Sequence, residues 1–383
     1  MKAIIARSEL LKALQHAKGI IEKKTTVPIL SNILIEAGHG NELTLSSTDL
    51  ELSIHESLVA QKVEEMGAIT VSAQMLYDII SRLPEDSFPE LSCQQDTNDG
   101  REPFNIKVNR STFRLGTLPA EEYAEIKRVV SPYVFTMKAS DLASLIEKTR
   151  YAMSMEESRY YLNGLYFEVL FNDDKPFLRA VATDGHRLAK AEASDIQFGK
   201  NLEDQSLPKI IVPQKTIYEV MKLLDSKGGD VIVSFSSRSI AFTFGGVHLQ
   251  SRLIDGSFPD YEKVIPTDNP FFLKVPTKLF ADAVDRVSVM ASDKTHTIKL
   301  TIQEETLMLS SSNPEIGTAF EEVEVSYAGV PFETGFNARY LLEAARHVKG
   351  DMLSIALKDP GSAILLQDEK DPGLSFVVMP MRV

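Results

Sequence analysis

The sequence predicts an α+β protein built three times over, with three domains of similar size that each pack two helices on antiparallel sheet. Two observations carry that expectation. Helical apolar spacing recurs in six segments that fall into two trios, and the stretches between them alternate β-branched and aromatic residues up to related turn motifs. At 383 residues, with 43% hydrophobic and 25% charged, the chain has material for two or three separate cores.

The first trio comprises residues 6–21 (ARSELLKALQHAKGII), 138–153 (KASDLASLIEKTRYAM) and 275–290 (VPTKLFADAVDRVSVM). In these, Leu10, Leu11, Leu14 and Ala17, then Leu142, Leu145, Ile146 and Thr149, then Leu279, Phe280, Ala283, Val284 and Val287 each fall on one helical face. Ser8, Ser140 and Thr277 stand where a cap or a first-turn residue belongs. The second trio is 71–83, 212–224 and 336–348, with Ile217, Val220, Met221 and Leu224 showing the spacing. Between helices, 231–246 and 298–313 are expected as hairpins. The sheet before each second helix ends at a related point: Thr48-Asp49-Leu50-Glu51, Thr183-Asp184-Gly185-His186 and Ser312-Asn313-Pro314-Glu315. The segments RLGTLPAEEY and RLIDGSFPDY, and the terminal VVMPMRV, each run a strand into a proline, which places domains at 1–128, 129–266 and 267–383.

A net charge of −13 excludes a protein that coats nucleic acid with its whole surface, although it permits a local basic face. One cysteine, Cys93, forms no internal disulfide, and the chain shows no metal-ligand spacing and no cofactor motif, so neither a metal nor a cofactor is expected. The opening MKAIIARSELLKAL turns polar at Arg7 and Ser8, and no later run approaches the length of a membrane span, which favours a cytoplasmic protein without a membrane partner.

The stretch ATDGHRLA, residues 182–189, combines Asp184 and His186, an acid/base pair in principle. A hydrolase also needs a nucleophile or a metal, and no G-x-S-x-G or H-E-x-x-H is present. Asp49 and Asn313 at the sister positions point instead to side chains that close a turn, as Asx residues do. His186 and Arg187 have no such sisters and remain candidates for function. DSKGGD (225–230) and FGGVH (244–248) lack phosphate-loop spacing and are expected as hairpin turns. Cations mark the polar faces of the helical segments: Lys12, Lys18 and Lys23–Lys24, Lys148 and Arg150, Lys215 and Lys222, and Arg339, Arg346 and Lys349. On any single helix that is an ordinary solvated face, whereas six helices on one surface would make a phosphate-facing lining. Arg159, Tyr160 and Tyr161 either pack or stack on bases, and the terminal Met379, Pro380 and Met381 either dock as a closing strand or offer an adaptable peptide-binding surface.

Taken together, TVPILSNILIE (26–36), STDLE (47–51), RYYLNGLYFE (159–168), VATDGHRLA (181–189), IVPQKTIYEVMKLLD (211–225), DGSFPDYEKVIP (255–266), GFNARYLLEA (335–344) and FVVMPMRV (376–383) closely resemble the bacterial DNA sliding clamps, over essentially the whole chain. The resemblance implies a head-to-tail homodimer whose six domains close a ring, helices lining the hole, so that duplex DNA is held topologically and nothing is catalysed. It implies DNA contacts at Lys24, Arg159, Tyr160 and Tyr161, with Lys12, Lys215 and Lys222 as weaker members, and an acidic residue, Glu156, where relatives carry a neutral polar one. It implies a partner-peptide pocket at Leu162, Thr183, Gly185, His186, Arg187, Leu188, Pro259, Val264, Asn337, Tyr340, Val377, Met379, Pro380, Met381 and Arg382, with Gly361 and Ala363 at its margin. Expected occupants are peptides with a glutamine and a hydrophobic anchor, from the replicative polymerase, the clamp loader, translesion polymerases, DNA ligase and mismatch-repair proteins. The dimer contacts would set Phe113 and Leu115 against Val289 and Met290, and Arg110 against Glu321, Glu322 and Glu324. Alternatives from other classes are a protein-binding adaptor without DNA binding and a hydrolase using Asp184 and His186.

Overall fold

The computed structural model describes residues 1–22, 26–93, 103–123, 131–173, 175–198, 207–226, 228–292 and 295–382. All the expected helical segments form helices: α1 (Arg7–Ile20), α2 (Ala73–Ser81), α3 (Ala139–Glu147), α4 (Gln214–Ser226), α5 (Thr277–Ser288) and α6 (Ala338–His347). α1 buries Leu10, Ala13, Leu14, Ala17 and Ile20, and α5 buries Phe280, Ala283, Val284 and Val287, as their spacing dictates. Leu279 departs from the expected apolar face and is 53% exposed. α3 stops at Glu147 rather than running to 153: the backbone leaves helical values at Thr149, φ −126°, and Arg150–Ala152 tightens into a 3₁₀ turn. The hydroxyls read as possible caps lie within first turns: α1 follows Ala6 and α5 follows Pro276, neither with a side-chain cap. The side chains that do cap are Ser72, accepting from Met75 N on α2, and Asn337, accepting from Arg339 N on α6.

The chain divides into two compact units. The first comprises Met1–Ala143, Gln197–Pro208 and Lys215–Leu253. Among the described residues its main sheet is ten-stranded and antiparallel, in the order Thr117–Leu118, Gly67–Ser72, Asn32–Ala37, Glu42–Thr48, Leu52–Val59, Val247–Arg252, Ser239–Phe244, Asp230–Phe235, Tyr133–Lys138, Gln197–Phe198. The join between strands of the first and middle thirds is the ladder of Val247 opposite Glu56 through Ser251 opposite Leu52. A smaller sheet of the same unit runs Lys62–Glu65, Lys2–Ile4, Glu90–Ser92, Phe104–Val108, Ser111–Leu115, with Cys93 buried beside it.

The second unit comprises Ser144–Ile196, Lys209–Gln214 and Ile254–Val383. Its larger sheet, nine-stranded among the described residues, runs Ile210–Pro213, Gly164–Asn172, Lys175–Thr183, Arg187–Ala193, Asp371–Val378, Ile364–Asp368, Met352–Leu357, Phe271–Pro276, Ser326–Tyr327. Here the middle and last thirds meet in the ladder of Arg187 opposite Val378 through Lys190 opposite Ser375. The remaining sheet is Gly317–Glu324, Thr306–Asn313, Thr297–Ile302, Phe332–Asn337. The middle third therefore supplies strands to both units, a sharing of sheets that sequential boundaries do not reveal.

Both expected hairpins form, pairing Ile232–Phe235 with Ile240–Thr243 and Lys299–Ile302 with Leu307–Ser310. FGGVH is a two-residue hairpin turn in which Gly245 and Gly246 take φ of 53° and 82°, the left-handed values that such a turn requires and glycine adopts without strain. DSKGGD, by contrast, connects α4 to the strand Asp230–Phe235 and is not a hairpin turn. The terminal strand Asp371–Val378 is interior to its sheet and ends before Pro380, which donates no ladder hydrogen bond. No helix among the described residues is long and apolar enough to cross a membrane.

Candidate functional site

The Asx reading holds at all three sister turns. Asp184 Oδ1 accepts from His186 N at 2.9 Å and Arg187 N at 3.0 Å; Asp49 Oδ1 accepts from Glu51 N at 2.9 Å and Leu52 N at 2.7 Å; Asn313 Oδ1 accepts from Glu315 N at 3.0 Å. Thr183 and Thr48 repeat each other, each hydroxyl donating to the carbonyl four residues on and accepting from the amide two residues on. In both copies the second aspartate oxygen holds a cation, Arg187 for Asp184 and Lys215 for Asp49. The left-handed position is Gly185 at φ 89° in one copy and Leu50 at φ 81° in the other.

Arg187 is the centre of the second unit's polar network, its side chain only 12% exposed. Its guanidinium reaches Asp184, Glu343 of α6 and the Tyr151 carbonyl. It also lies 4.4 Å from the ring centroid of Tyr340 and 5.1 Å from that of Tyr151. Tyr151 in turn stacks on His347 at 5.0 Å, and its hydroxyl is held well above the usual range by burial. Burial also pushes the His347 imidazole down, Glu147 opposing and Arg150 and Lys148 assisting. Arg187 thus ties the Asp184 turn to α6 as a strut.

Of the expected pocket residues, Tyr340 lies under the strut and Leu188 pairs with Val377 across the adjoining ladder. Leu188 and Val377 are buried in an apolar cluster with Tyr166, Val181, Ile211, Tyr261, Ala356 and Leu365, against which Tyr161, Ile254, Phe258, Ile265 and Ala363 pack. Leu162 is buried, while Pro259 and Val264 are exposed close to Tyr261 in the chain. Past the terminal strand, Met379 N donates to His186 O at 2.9 Å and Met381 N to Gly335 O at 2.8 Å. The tail is therefore pinned to the Asp184 turn and to the strand that leads into Asn337 and α6, with Met379, Pro380 and Met381 half-buried and Arg382 exposed. Gly361 sits in a turn closed by Asp359 Oδ1, and Thr334 Oγ1 reaches the neighbouring Pro360 carbonyl at 3.0 Å.

Arg159, Tyr160 and Tyr161 lie on a 3₁₀ segment, Glu157–Leu162, kinked at Arg159. Tyr160 is 54% exposed while Tyr161 packs on the apolar cluster. Arg159 Nε and Nη2 form a two-pronged pair with Glu156 at 2.9 Å and 2.8 Å.

In the first unit, Lys12 and Lys222 line a cavity of about 280 Å³ between α1 and α4, together with Gln15, His16, Ile20, Ile54, Glu219 and Leu223. Lys222 Nζ donates to Glu219 at 2.6 Å, and His16 pairs with Glu56 at 2.7 Å. Lys215 is not a free cation of the helix face: its ammonium donates to Asp49 and to the Ile20 carbonyl, tying α4 to the end of α1. Lys24 lies outside the described residues.

Of the residues expected at a dimer contact, Phe113, Leu115 and the three glutamates sit on edge strands, whereas Val289 and Met290 follow α5. Phe113 and Leu115 are half-buried on Ser111–Leu115, an edge strand of the first unit, with Arg110 exposed beside it. In the second unit Glu321, Glu322 and Glu324 lie on the edge strand Gly317–Glu324, next to the exposed Val289 and Phe320 at 71% and 75%, with Met290 half-buried. Arg286 engages Glu321 through Nε at 2.9 Å, whereas Glu322 and Glu324 are exposed. Exposed apolar side chains along an edge strand are features that a lone protein avoids.

Sequence reasoning missed Tyr151, Glu343 and Phe320. Glu343 follows Tyr340 by one helical turn within GFNARYLLEA, the spacing that puts both on one face, and that was the available signal.

Comparison with known proteins gives one result throughout. Family models of the DNA polymerase III beta subunit match in succession, the N-terminal domain at 1–127, the central domain at 136–260 and the C-terminal domain at 262–382. The beta sliding clamp of Caulobacter vibrioides is 42% identical over 383 residues, and that of Escherichia coli K12 is 34% identical, each covering 100% of both chains. Among solved structures, a C. crescentus beta sliding clamp superposes with a TM-score of 0.93 at 41% identity, covering 100% of this chain and 99% of its own. A Bartonella birtlesii sliding clamp bound to griselimycin does so with a TM-score of 0.92 at 38% identity, covering 100% of both.

Proposed function

The chain belongs to the DNA polymerase III beta subunit family, the bacterial beta sliding clamps, and on that premise we propose that it closes head to tail with a second copy into a ring around duplex DNA. It is a non-catalytic processivity factor. Asp184, the acid of the rejected hydrolase reading, has both carboxylate oxygens engaged in the turn and on Arg187. The observation that carries the reading is the full-length succession of three beta-subunit domains.

The three domains are taken as 1–128, 129–266 and 267–383. Closure would pair the edge strand bearing Phe113 and Leu115 with the partner copy's edge strand, Val289, Met290 and Phe320 supplying apolar contact and Arg110 facing Glu322 and Glu324. Lys24, Arg159, Tyr160 and Tyr161 would meet DNA, with Lys12 and Lys222 as weaker contacts and Lys215 chiefly serving the fold. Sequence-independent phosphate contact suits a sliding ring, and the net charge of −13 repels DNA elsewhere.

The convergence of Leu188, Val377, Ala363, Tyr340 and the pinned tail supports a groove for a short peptide with an apolar anchor. Its occupants would include the polymerase, the clamp loader, translesion polymerases, ligase and mismatch-repair proteins, all in the cytoplasm. The decisive experiment loads the protein onto nicked circular DNA with its loader and then linearises the DNA. Release on linearisation is expected; retention on the linear product would refute topological binding.

A further inference from the structure

Building on the DNA and peptide reading above, we propose that Glu156 is a positioning residue holding the Arg159 guanidinium over Gly185, and that a DNA phosphate drawing Arg159 away opens the Gly185–His186 turn to a partner peptide. Arg159 stands at the meeting point of the two candidate sites. Its Nε and Nη2 are gripped by the two Glu156 oxygens at 2.9 Å and 2.8 Å, and a Cβ placed on Gly185 would lie only 2.6 Å from its Nη1. The guanidinium therefore lies on the bare backbone of the turn whose next residue, His186, accepts the tail's Met379 N–H. Gly185 is required twice over, by that approach and by its φ of 89°.

The clasp is suited to exchange. Both side chains are partly exposed, Arg159 at 30% and Glu156 at 57%, so the pair contributes little and water competes for it. A DNA phosphodiester presents the same two-pronged acceptor, set among the closely spaced charges of the duplex backbone, so transfer of the fork from Glu156 to DNA leaves no donor unpaired. The kinked backbone at Arg159, φ −114° and ψ 50°, already departs from the surrounding 3₁₀ turn. Tyr160 and Tyr161 follow directly and pack over Gly256, so a displaced Arg159 swings from a braced segment. Because such coupling is reciprocal, DNA raises peptide affinity by the factor by which peptide raises DNA affinity, and the weakness of the clasp limits that factor to about fivefold.

The test measures binding of a fluorescently labelled peptide carrying glutamine and a hydrophobic anchor to the intact protein, by anisotropy, with and without saturating short duplex DNA. Wild type is expected to bind the peptide about two- to fivefold more tightly with duplex present. E156Q and, independently, R159A should bind it more tightly without DNA and lose the increment. Equal wild-type affinity with and without duplex, or an increment that survives E156Q, overturns the proposal. Failure of peptide or duplex to bind wild type at all removes the underlying reading and this inference with it.

Discussion

Arg187→Ala is the substitution whose consequence is most fully fixed by the geometry. It removes the donor to Asp184, Glu343 and the Tyr151 carbonyl, and the cation over two aromatic rings. Removing one partner of a buried pair costs roughly 3–5 kcal/mol; Glu343 is 36% exposed and keeps some water, so about 2 kcal/mol is appropriate here. The cation–π contacts add about 1 kcal/mol, giving a loss of about 3 kcal/mol. For a unit of this size that lowers the calorimetric melting temperature by about 6–12 °C. Arg187→Lys keeps charge without the fork and should lose about half as much. Glu343→Gln distinguishes a strut from a ligand contact: a strut requires it to lower both the melting temperature and the peptide affinity. If Arg187→Ala shifts melting by less than about 2 °C, or Glu343→Gln leaves peptide binding untouched, the reasoning fails.

Four further outcomes are expected. Burial depresses the His347 imidazole, so the unfolded chain binds its proton first; stability is complete above about pH 6.5 and falls as pH drops toward the lowered folded value. His347→Gln should flatten that slope in melting curves across a pH series, and an unchanged slope would assign it elsewhere. Leu50→Gly relieves a left-handed leucine at φ 81°, worth about 1–2 kcal/mol against about 0.5–1 kcal/mol of added chain entropy, so the melting temperature should hold or rise slightly; a clear fall refutes the strain. Deleting Met379 to Val383 removes the hydrogen bonds to His186 and Gly335 and should abolish peptide binding while sedimentation still reports a dimer. Val289→Asp places a charge on a 71%-exposed apolar position at the proposed junction and should weaken the dimer by about tenfold or more in dilution-dependent light scattering, without changing peptide affinity.

Local signals were legible where the physics is local. Apolar spacing located the six α-helices found among the described residues, and the Asx chemistry of Asp49, Asp184 and Asn313 was readable because a short side chain reaches only the next few amides. The same locality explains the errors. Nothing near Thr149 in sequence announces that α3 ends before it, and DSKGGD has hairpin composition although a helix precedes it. Among site residues, the sequence singled out Arg187 but not its partner Glu343, which lies 156 positions away. Lys215 showed its charge, but its commitment to Asp49 depends on two segments that only folding brings together.

By itself, the sequence determined the α+β class, the threefold plan, the turn chemistry and, through its motifs, the family, because each rests on spacing within a helix, a strand or a turn. The tertiary structure decided which strands of the middle third join which neighbours, in the ladders at Glu56–Val247 and at Arg187–Val378. It also decided that Arg187 is a strut, that the tail is pinned at His186 and Gly335, and that Arg159 rests on Gly185 beside its Glu156 clasp. Those outcomes depend on register and approach between segments far apart in the chain, which residue periodicity does not encode.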